Sequence, residues 1–229
     1  MSTVQQHRER PILFSGPMVR AILEGQKTVT RRAVKPCKAH ADGFAVLDFG
    51  NGWQPFNTFC DFTSDSEGME YPIACPYGKP GDRLWVRETF ATLSAGQYEP
   101  VKPAWGYGQD LRFAATDPLA DCDIGVRGYA WRPSIHMPRW ASRILLEVTD
   151  VRVERLQDIS EHQAQAEGIE HLPHLDPAGT CHWRVYGSES SGTNSPVASF
   201  ESLWESINGA GSWDANPWVW VVEFRRIQP

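Results

Sequence analysis

The sequence predicts a single α+β domain, on three observations. Apolar, strand-like runs lie near both ends of the chain, at Pro11 to Ser15 and Trp218 to Phe224. Between them, short amphipathic helices carry their own start and stop signals. No internal repeat and no linker divides the 229 residues, a length suited to one large domain.

Pro11-Ile-Leu-Phe-Ser15 is apolar at its centre and is ended by Gly16-Pro17, so it reads as a short buried strand. Pro17 then opens a helix where its missing N–H costs nothing. Ser15 or Gly16 serves as cap, Met18, Ala21 and Ile22 form the apolar stripe, and Gly25 is the stop. The run Gln26-Lys27-Thr28-Val29-Thr30-Arg31-Arg32 leaves directly from that stop. From about 33 to 80 the periodicity fails, which predicts a loop-rich insertion with short strands around Phe44 to Phe49. Gly81-Asp82 turns the chain into a strand from Arg83 to Thr89, and a second loop-rich insertion is expected over about 93 to 135.

Arg143 to Arg155 is a candidate strand pair. Ile144, Leu146 and Val148 point one way, and Val151 and Val153 follow after a break at Thr149-Asp150. Asp158 to Glu167 is the clearest later helix. Asp158 or Ser160 can cap it, Glu161 or Gln163 can complete a capping box, and Gly168 ends it with Ile169 packing back. A polar loop is expected over 170 to 198, mobile around Gly187 to Ser195. A short helix follows, with Phe200, Leu203, Trp204 and Ile207 on one face, and then the final strand.

Composition narrows the function classes. At 41% hydrophobic and 22% charged residues the chain belongs with soluble globular proteins, and its strongest apolar run, Trp218 to Val222, has strand length. No membrane span is expected. Met1 to Arg10 is polar, with no apolar stretch behind it, so a cytoplasmic location follows by default. Five scattered cysteines, never spaced C-x-x-C, read as reduced thiols. His171, His174, Cys181 and His182 have zinc-ligand chemistry but no common zinc spacing, so neither a metal nor a cofactor is expected.

The net charge is −6, yet residues 1 to 38 hold eight Lys and Arg against only Glu9 and Glu24. A second basic stretch runs through Arg127, Arg132, Arg139, Arg143, Arg152 and Arg155. Local cationic surface decides whether a phosphate backbone is attracted, so one positive face and a nucleic-acid partner stay compatible with the acidic total.

The motifs of phosphate-binding loops, serine hydrolases, zinc proteases and dinucleotide-binding folds are absent. What stands out is the Lys27 to Arg32 run at a helix end. Strict alternation would separate Lys27, Val29 and Arg31 from Thr28 and Thr30, so Lys27 and Thr30 meet only if the chain bends after Gly25. Glu167 is the second oddity. A carboxylate in the last turn of a helix faces the negative end of the macrodipole and gains nothing locally, so it is either solvated or placed for proton transfer. Glu88, beside Arg87 and close to Trp85, is a third candidate, with a plain ion pair as the competing reading.

Several blocks in order carry a resemblance: Gly25-Gln-Lys27-Thr28-Val29-Thr30-Arg31-Arg32, Pro80-Gly81-Asp82 through Trp85 to Glu88, Glu147-Val-Thr-Asp150, Ala166-Glu167-Gly168-Ile169, and Trp218 to Phe224. Together they resemble the ASCH domain family, over about half of the residues, and most of all its long phage and prophage members. The resemblance implies a PUA-like β-barrel with flanking helices, the two insertions and both terminal strands being parts of one unit. In the short N(4)-acetylcytidine amidohydrolases of the wider family, a Lys and a Thr of a K-x-x-T segment and a Glu at a helix end act in catalysis. These positions fall on Lys27, Thr30 and Glu167. Arg31, Arg32, Trp85 and Glu88 are the matching candidates for substrate binding.

The function expected is therefore a hydrolase acting on a modified nucleoside or nucleotide, with deacylation of N(4)-acetylcytidine as its concrete form. In one division of labour Lys27 orients or activates the Thr30 hydroxyl and Glu167 moves protons. In the other, Glu167 activates water and Thr30 is an oxyanion donor. A non-catalytic RNA-binding module, with base stacking on exposed aromatic rings, is the alternative from another class. A ribonuclease would need a His or Lys pair at a phosphate, and no His close to Lys27 suggests itself.

Overall fold

Strands from across the whole chain assemble into one central sheet. The computed structural model describes residues 7–35, 43–50, 52–59, 69–92, 111–172, 182–188 and 192–228. In chain order the elements are β1 (Glu9–Leu13), α1 (Gly16–Leu23), β2 (Val29–Ala33), β3 (Gly43–Asp48), β4 (Trp53–Phe59), β5 (Met69–Pro72), β6 (Arg83–Arg87) and β7 (Phe90–Thr92). They continue with β8 (Leu111–Phe113), α2 (Ile124–Arg127), β9 (Leu145–Arg155), α3 (Glu161–Ala166), β10 (Trp183–Arg184), β11 (Gly192–Thr193), α4 (Pro196–Asn208) and β12 (Trp218–Ile227).

The five-stranded sheet has the order β1-β6-β9-β12-β2. Only β1 and β6 run parallel; β6, β9, β12 and β2 are joined antiparallel. The fold is thus α+β, and β1 and β12 share one sheet despite their separation in sequence. β1 and β2 are the two ends of the hydrogen-bonded order, and the Arg32 Nη2 donates to Leu13 O across them at 2.9 Å. β1 begins two residues earlier than expected and is an edge, not a central strand. Having only β6 beside it, it buries Ile12 and leaves Leu13 exposed.

Alternation along β12 builds two cores. Trp220, Val222 and Phe224 pack with Ile12, Leu84, Val86, Leu146, Val148 and Val153, and α1 adds Val19 and Ile22. Val219 and Val221 face the other way, onto Phe200, Leu203 and Trp204 of α4 and Ala164 of α3. Each fully buried aliphatic side chain contributes about 1.5–3 kcal/mol. The expected strand pair at 143 to 155 is one continuous strand. Val148 pairs with Phe224 and Asp150 with Glu223, so Thr149 is an extra residue and the ladder bulges. The bulge lets Val148 and Val153 reach the same core across the odd spacing.

The first insertion holds a strand where one was expected, around Phe44 to Phe49, and corrects the expectation of loops around it. β3, β4 and β5 form a three-stranded antiparallel sheet, with Asp48 opposite Trp53 across a short turn. Trp53 of this sheet meets Trp218 of β12 with ring centroids 4.9 Å apart. The second excursion contributes the β7–β8 pair and α2; residues 93–110 lie outside the described set. The expected mobile stretch also carries structure, because Gly192–Thr193 pairs with Trp183–Arg184; 189–191 lie outside the described residues. α4 starts at Pro196, four residues before the expected Phe200, since Ser195 caps it by accepting from Ala198 N.

No helix among the described residues is long and apolar enough to cross a membrane. Cys75 and Cys122 are free thiols. Burial pushes the Cys75 thiol up to about 11, against smaller opposing effects of the Tyr77 backbone and Arg10. At pH 8 its alkylation by iodoacetamide is expected to run about 100-fold slower than that of an unperturbed thiol, because only the thiolate reacts. Peptide mapping of a labelling time course checks this, and fast modification of Cys75 would contradict it.

Candidate functional site

The site grows from the ends of α1 and α3. Gly25 stops α1 at φ +77°, and Gln26 N and Lys27 N then both donate to Ala21 O, at 2.8 and 3.0 Å. This is the bend that strict alternation lacks. Thr28 N donates to Ala166 O at the end of α3, and Phe224 N donates to Thr28 O, so one residue ties helix end to sheet. α3 begins with the expected capping box: Ser160 Oγ accepts from Gln163 N, and Gln163 Oε1 accepts from Ser160 N.

Glu167 closes α3 as its C-cap and is 3% exposed. Lys27, equally buried, donates to Glu167 Oε2 at 2.8 Å, to Glu167 O at 2.6 Å and to Val29 O at 2.8 Å. The ammonium thereby compensates both the carboxylate and the exposed carbonyl end of the helix, which explains a Glu where a cation would be preferred. Burial pushes the Lys27 ammonium below its usual range, and the adjacent Glu167 carboxylate opposes that shift. Arg31 adds a second cation: its Nη1 lies 3.4 Å from Glu167 Oε1, while Nη2 donates to Gln163 Oε1 at 3.1 Å and Glu154 Oε2 at 3.3 Å. The capping-box glutamine therefore also holds the arginine.

Thr30, on β2 opposite Val222, is buried. It lines a cavity of about 50 Å³ together with Arg31, Arg32, Glu167, Leu203 and Trp204. A wider cavity of about 370 Å³ shares Met18, Arg32, Leu203 and Ile207 with it and adds Tyr186. Another cavity, about 600 Å³, lies beside Thr28, His162, His171 and Trp183. Its histidines and Thr28 are exposed, whereas the smaller cavity holds the buried ionisable groups, which makes the smaller one the better candidate for chemistry.

The structure thus joins Lys27 and Arg31 to Glu167, and Thr30, Arg31 and Arg32 line one small cavity with that residue. Trp85 and Glu88 lie elsewhere. Leu84 and Val86 of β6 enter the core, so Trp85 belongs to the other face, where the Arg87 guanidinium lies 5.4 Å from its ring centroid. Glu88 is buried in a bidentate pair with Arg143, at 2.9 and 3.0 Å, and that guanidinium covers the Phe113 ring at 4.1 Å. This is the ion-pair reading of Glu88, with Arg143 in place of the sequence neighbour. Glu154 and Gln163 were not singled out as site residues; the capping-box position was the one signal that marked Gln163.

The arginines that cluster in sequence do not all present free charge. Arg139 pairs with Glu9, Arg143 with Glu88, and Arg152 with Asp150, Glu154 and Glu223. Arg155 lies over the Trp218 ring and donates to Asn216 O. Among the described residues no cluster of His, Cys, Asp and Glu is arranged for a metal; His174 and Cys181 lie outside that set. No family model matches the chain, and no curated protein or solved structure is similar to it.

Proposed function

We propose that the protein is a hydrolase that removes an acyl group from the exocyclic amide of a modified nucleoside, an N(4)-acylated cytidine being the concrete substrate. The observation that carries this reading is the buried Glu167 carboxylate held by Lys27 and lining one cavity with Thr30. The adjoining cavity of about 370 Å³ falls in the size range of small-molecule sites and has room for a base and sugar. The five-stranded sheet is open, its end strands β1 and β2 bridged by the Arg32 side chain to Leu13 O, and the PUA-like barrel that the ASCH resemblance implies is part of this proposal.

The hydrogen bonds favour one division of labour over the other. A protonated lysine has three N–H donors, and Lys27 directs them at three oxygens of Val29 and Glu167. None is left for Thr30, so Lys27 is a positioning residue for Glu167. Glu167 takes a proton from water while the water oxygen bonds to the acyl carbon. The carbon–nitrogen bond then breaks as Glu167 returns the proton to the leaving amine, giving cytidine and a carboxylic acid, which loses its remaining proton to water at neutral pH. The Thr30 hydroxyl donates to the carbonyl oxygen as charge develops there. The ion pairs on Arg139, Arg143 and Arg152 favour this small-ligand reading over an RNA-binding face.

The test is release of acetate from N(4)-acetylcytidine. Wild-type protein is expected to turn the nucleoside over, and Glu167→Gln to lower kcat by about 10²–10⁴-fold, the usual worth of a positioned acid–base group. Wild-type protein that releases no acetate overturns the assignment. A folded Glu167→Gln variant with full activity overturns the role of Glu167.

A further inference from the structure

Arg31 and Arg32 each keep a buried Nε–H with no hydrogen-bond partner. The Arg31 side chain is fully inaccessible, and its two terminal nitrogens already serve Glu154, Gln163 and Glu167. Arg32 is half-buried, with Nη2 on Leu13 O, and among the described residues no carboxylate pairs with it. Both residues line the cavity of about 50 Å³ beside Thr30 and Glu167. An unmatched buried donor is destabilising, so two of them at one cavity are an unfavourable feature that an incoming acceptor removes.

Glu167, the carboxylate among the lining residues, is already held by Lys27 and Arg31, which leaves Arg32 without a carboxylate partner at this cavity. The cavity's size excludes a ring: it holds a group of a few non-hydrogen atoms, not a sugar or a base. The lining also includes the apolar side chains of Phe200, Leu203 and Trp204. A small group with an oxygen at one end and a methyl at the other matches both kinds of lining.

We propose that Arg31 and Arg32 form an acceptor site for the oxygen of a short acyl group, and so for the short carboxylate that its hydrolysis yields, with acetate as its simplest occupant. The proposal rests on the amide-hydrolase reading and adds to it what the two arginines bind. They receive the acyl oxygen, not a sugar or phosphate, and the wider cavity beyond Arg32 receives the nucleoside. Together with Thr30 they stabilise the oxygen as charge builds on it, a role for which fixed donors in a dry cavity are well suited.

The experiment titrates acetate alone into wild-type protein and into Arg32→Met and Arg31→Met, following binding by calorimetry, with circular dichroism as a check on folding. Arg31 also holds Glu154 and Gln163, so Arg32→Met, which removes one hydrogen bond to Leu13 O and a contact over the Phe14 ring, decides the outcome if Arg31→Met does not fold. Wild type is expected to bind acetate, and each folded variant to bind it at least about tenfold more weakly, the loss for a hydrogen bond to a charged group. In turnover of N(4)-acetylcytidine, kcat is expected to fall about 10²-fold with KM nearly unchanged, and product inhibition by acetate to weaken in parallel. Acetate that fails to bind wild type, or that binds Arg32→Met equally well, overturns the acceptor site. Full kcat in folded Arg32→Met, with wild type active, overturns it too while leaving the hydrolase reading intact. Acetate binding that depends on Arg32, in a protein that hydrolyses no acylated nucleoside, supports the acceptor site and overturns the hydrolase reading.

Discussion

Replacing Gly168 by alanine is expected to destabilise the protein by about 2–4 kcal/mol, combining a left-handed backbone that a side chain disfavours with an overpacked contact. Gly168 has φ +79°, and a Cβ built there lies 2.9 Å from both the Ala21 Cβ and the Lys27 Cβ. Those are stem atoms fixed to backbone, so relief requires moving α1 or the start of the Lys27 segment away from α3. The displacement would act on the Lys27–Glu167 pair, because Gly168 directly follows Glu167 and packs on Lys27. A thermal midpoint lower by about 5–15 °C is expected for a chain of this size, with loss of turnover at temperatures where the variant is still folded. Differential scanning calorimetry measures the first. A variant as stable as wild type would show that this close approach is not required.

The same glycine shows why part of the site was legible in sequence. Gly25 and Gly168 are helix stops that local chemistry reveals, and the Ser160–Gln163 capping box fixes where α3 begins. With both helix ends known, a carboxylate at a C-terminus and a lysine just past a stop are visible as oddities before any contact is. The pairing of Arg31 with Glu154 was not visible, since it depends on β2 and β9 lying on either side of β12. Sheet order among strands far apart in sequence leaves no local trace. Trp85 shows the converse: it neighbours Glu88 in sequence, yet strand alternation sends it to the face opposite Leu84 and Val86.

β3 was legible from the apolar run Phe44-Ala45-Val46-Leu47, but its partners β4 and β5 were missed for a different reason: Pro55 sits inside β4 and speaks against a strand there. Gly50-Asn-Gly52 was the available hairpin signal, with Gly50 at φ +79° and Gly52 at φ +133°. The Thr149 bulge, by contrast, was readable as a change of parity, although it proved to be a kink in one strand and not a turn between two.

Lys27→Met is expected to cost about 3–5 kcal/mol, because removing one partner of a buried pair leaves the other charge without its main compensation. Glu167 would keep only Arg31, at 3.4 Å, and the carbonyls of Val29 and Glu167 would each lose a donor. Glu167→Gln alone is expected to be costly for the mirror reason, leaving Lys27 and Arg31 buried against a neutral amide. The double variant is expected to be less destabilised than the sum of the two, with a coupling of about 0.5–3 kcal/mol, since an apolar side chain beside a neutral one leaves no isolated charge on Lys27's side. Urea denaturation of the four proteins closes the cycle. Activity adds a second reading of it: each single variant should lose nearly all acetate release, and the double variant should lose little more than either, because residues that act as a unit are not additive in kcat. Strict additivity in both stability and turnover would mean that Lys27 and Glu167 work independently, and the positioning role given to Lys27 would fall.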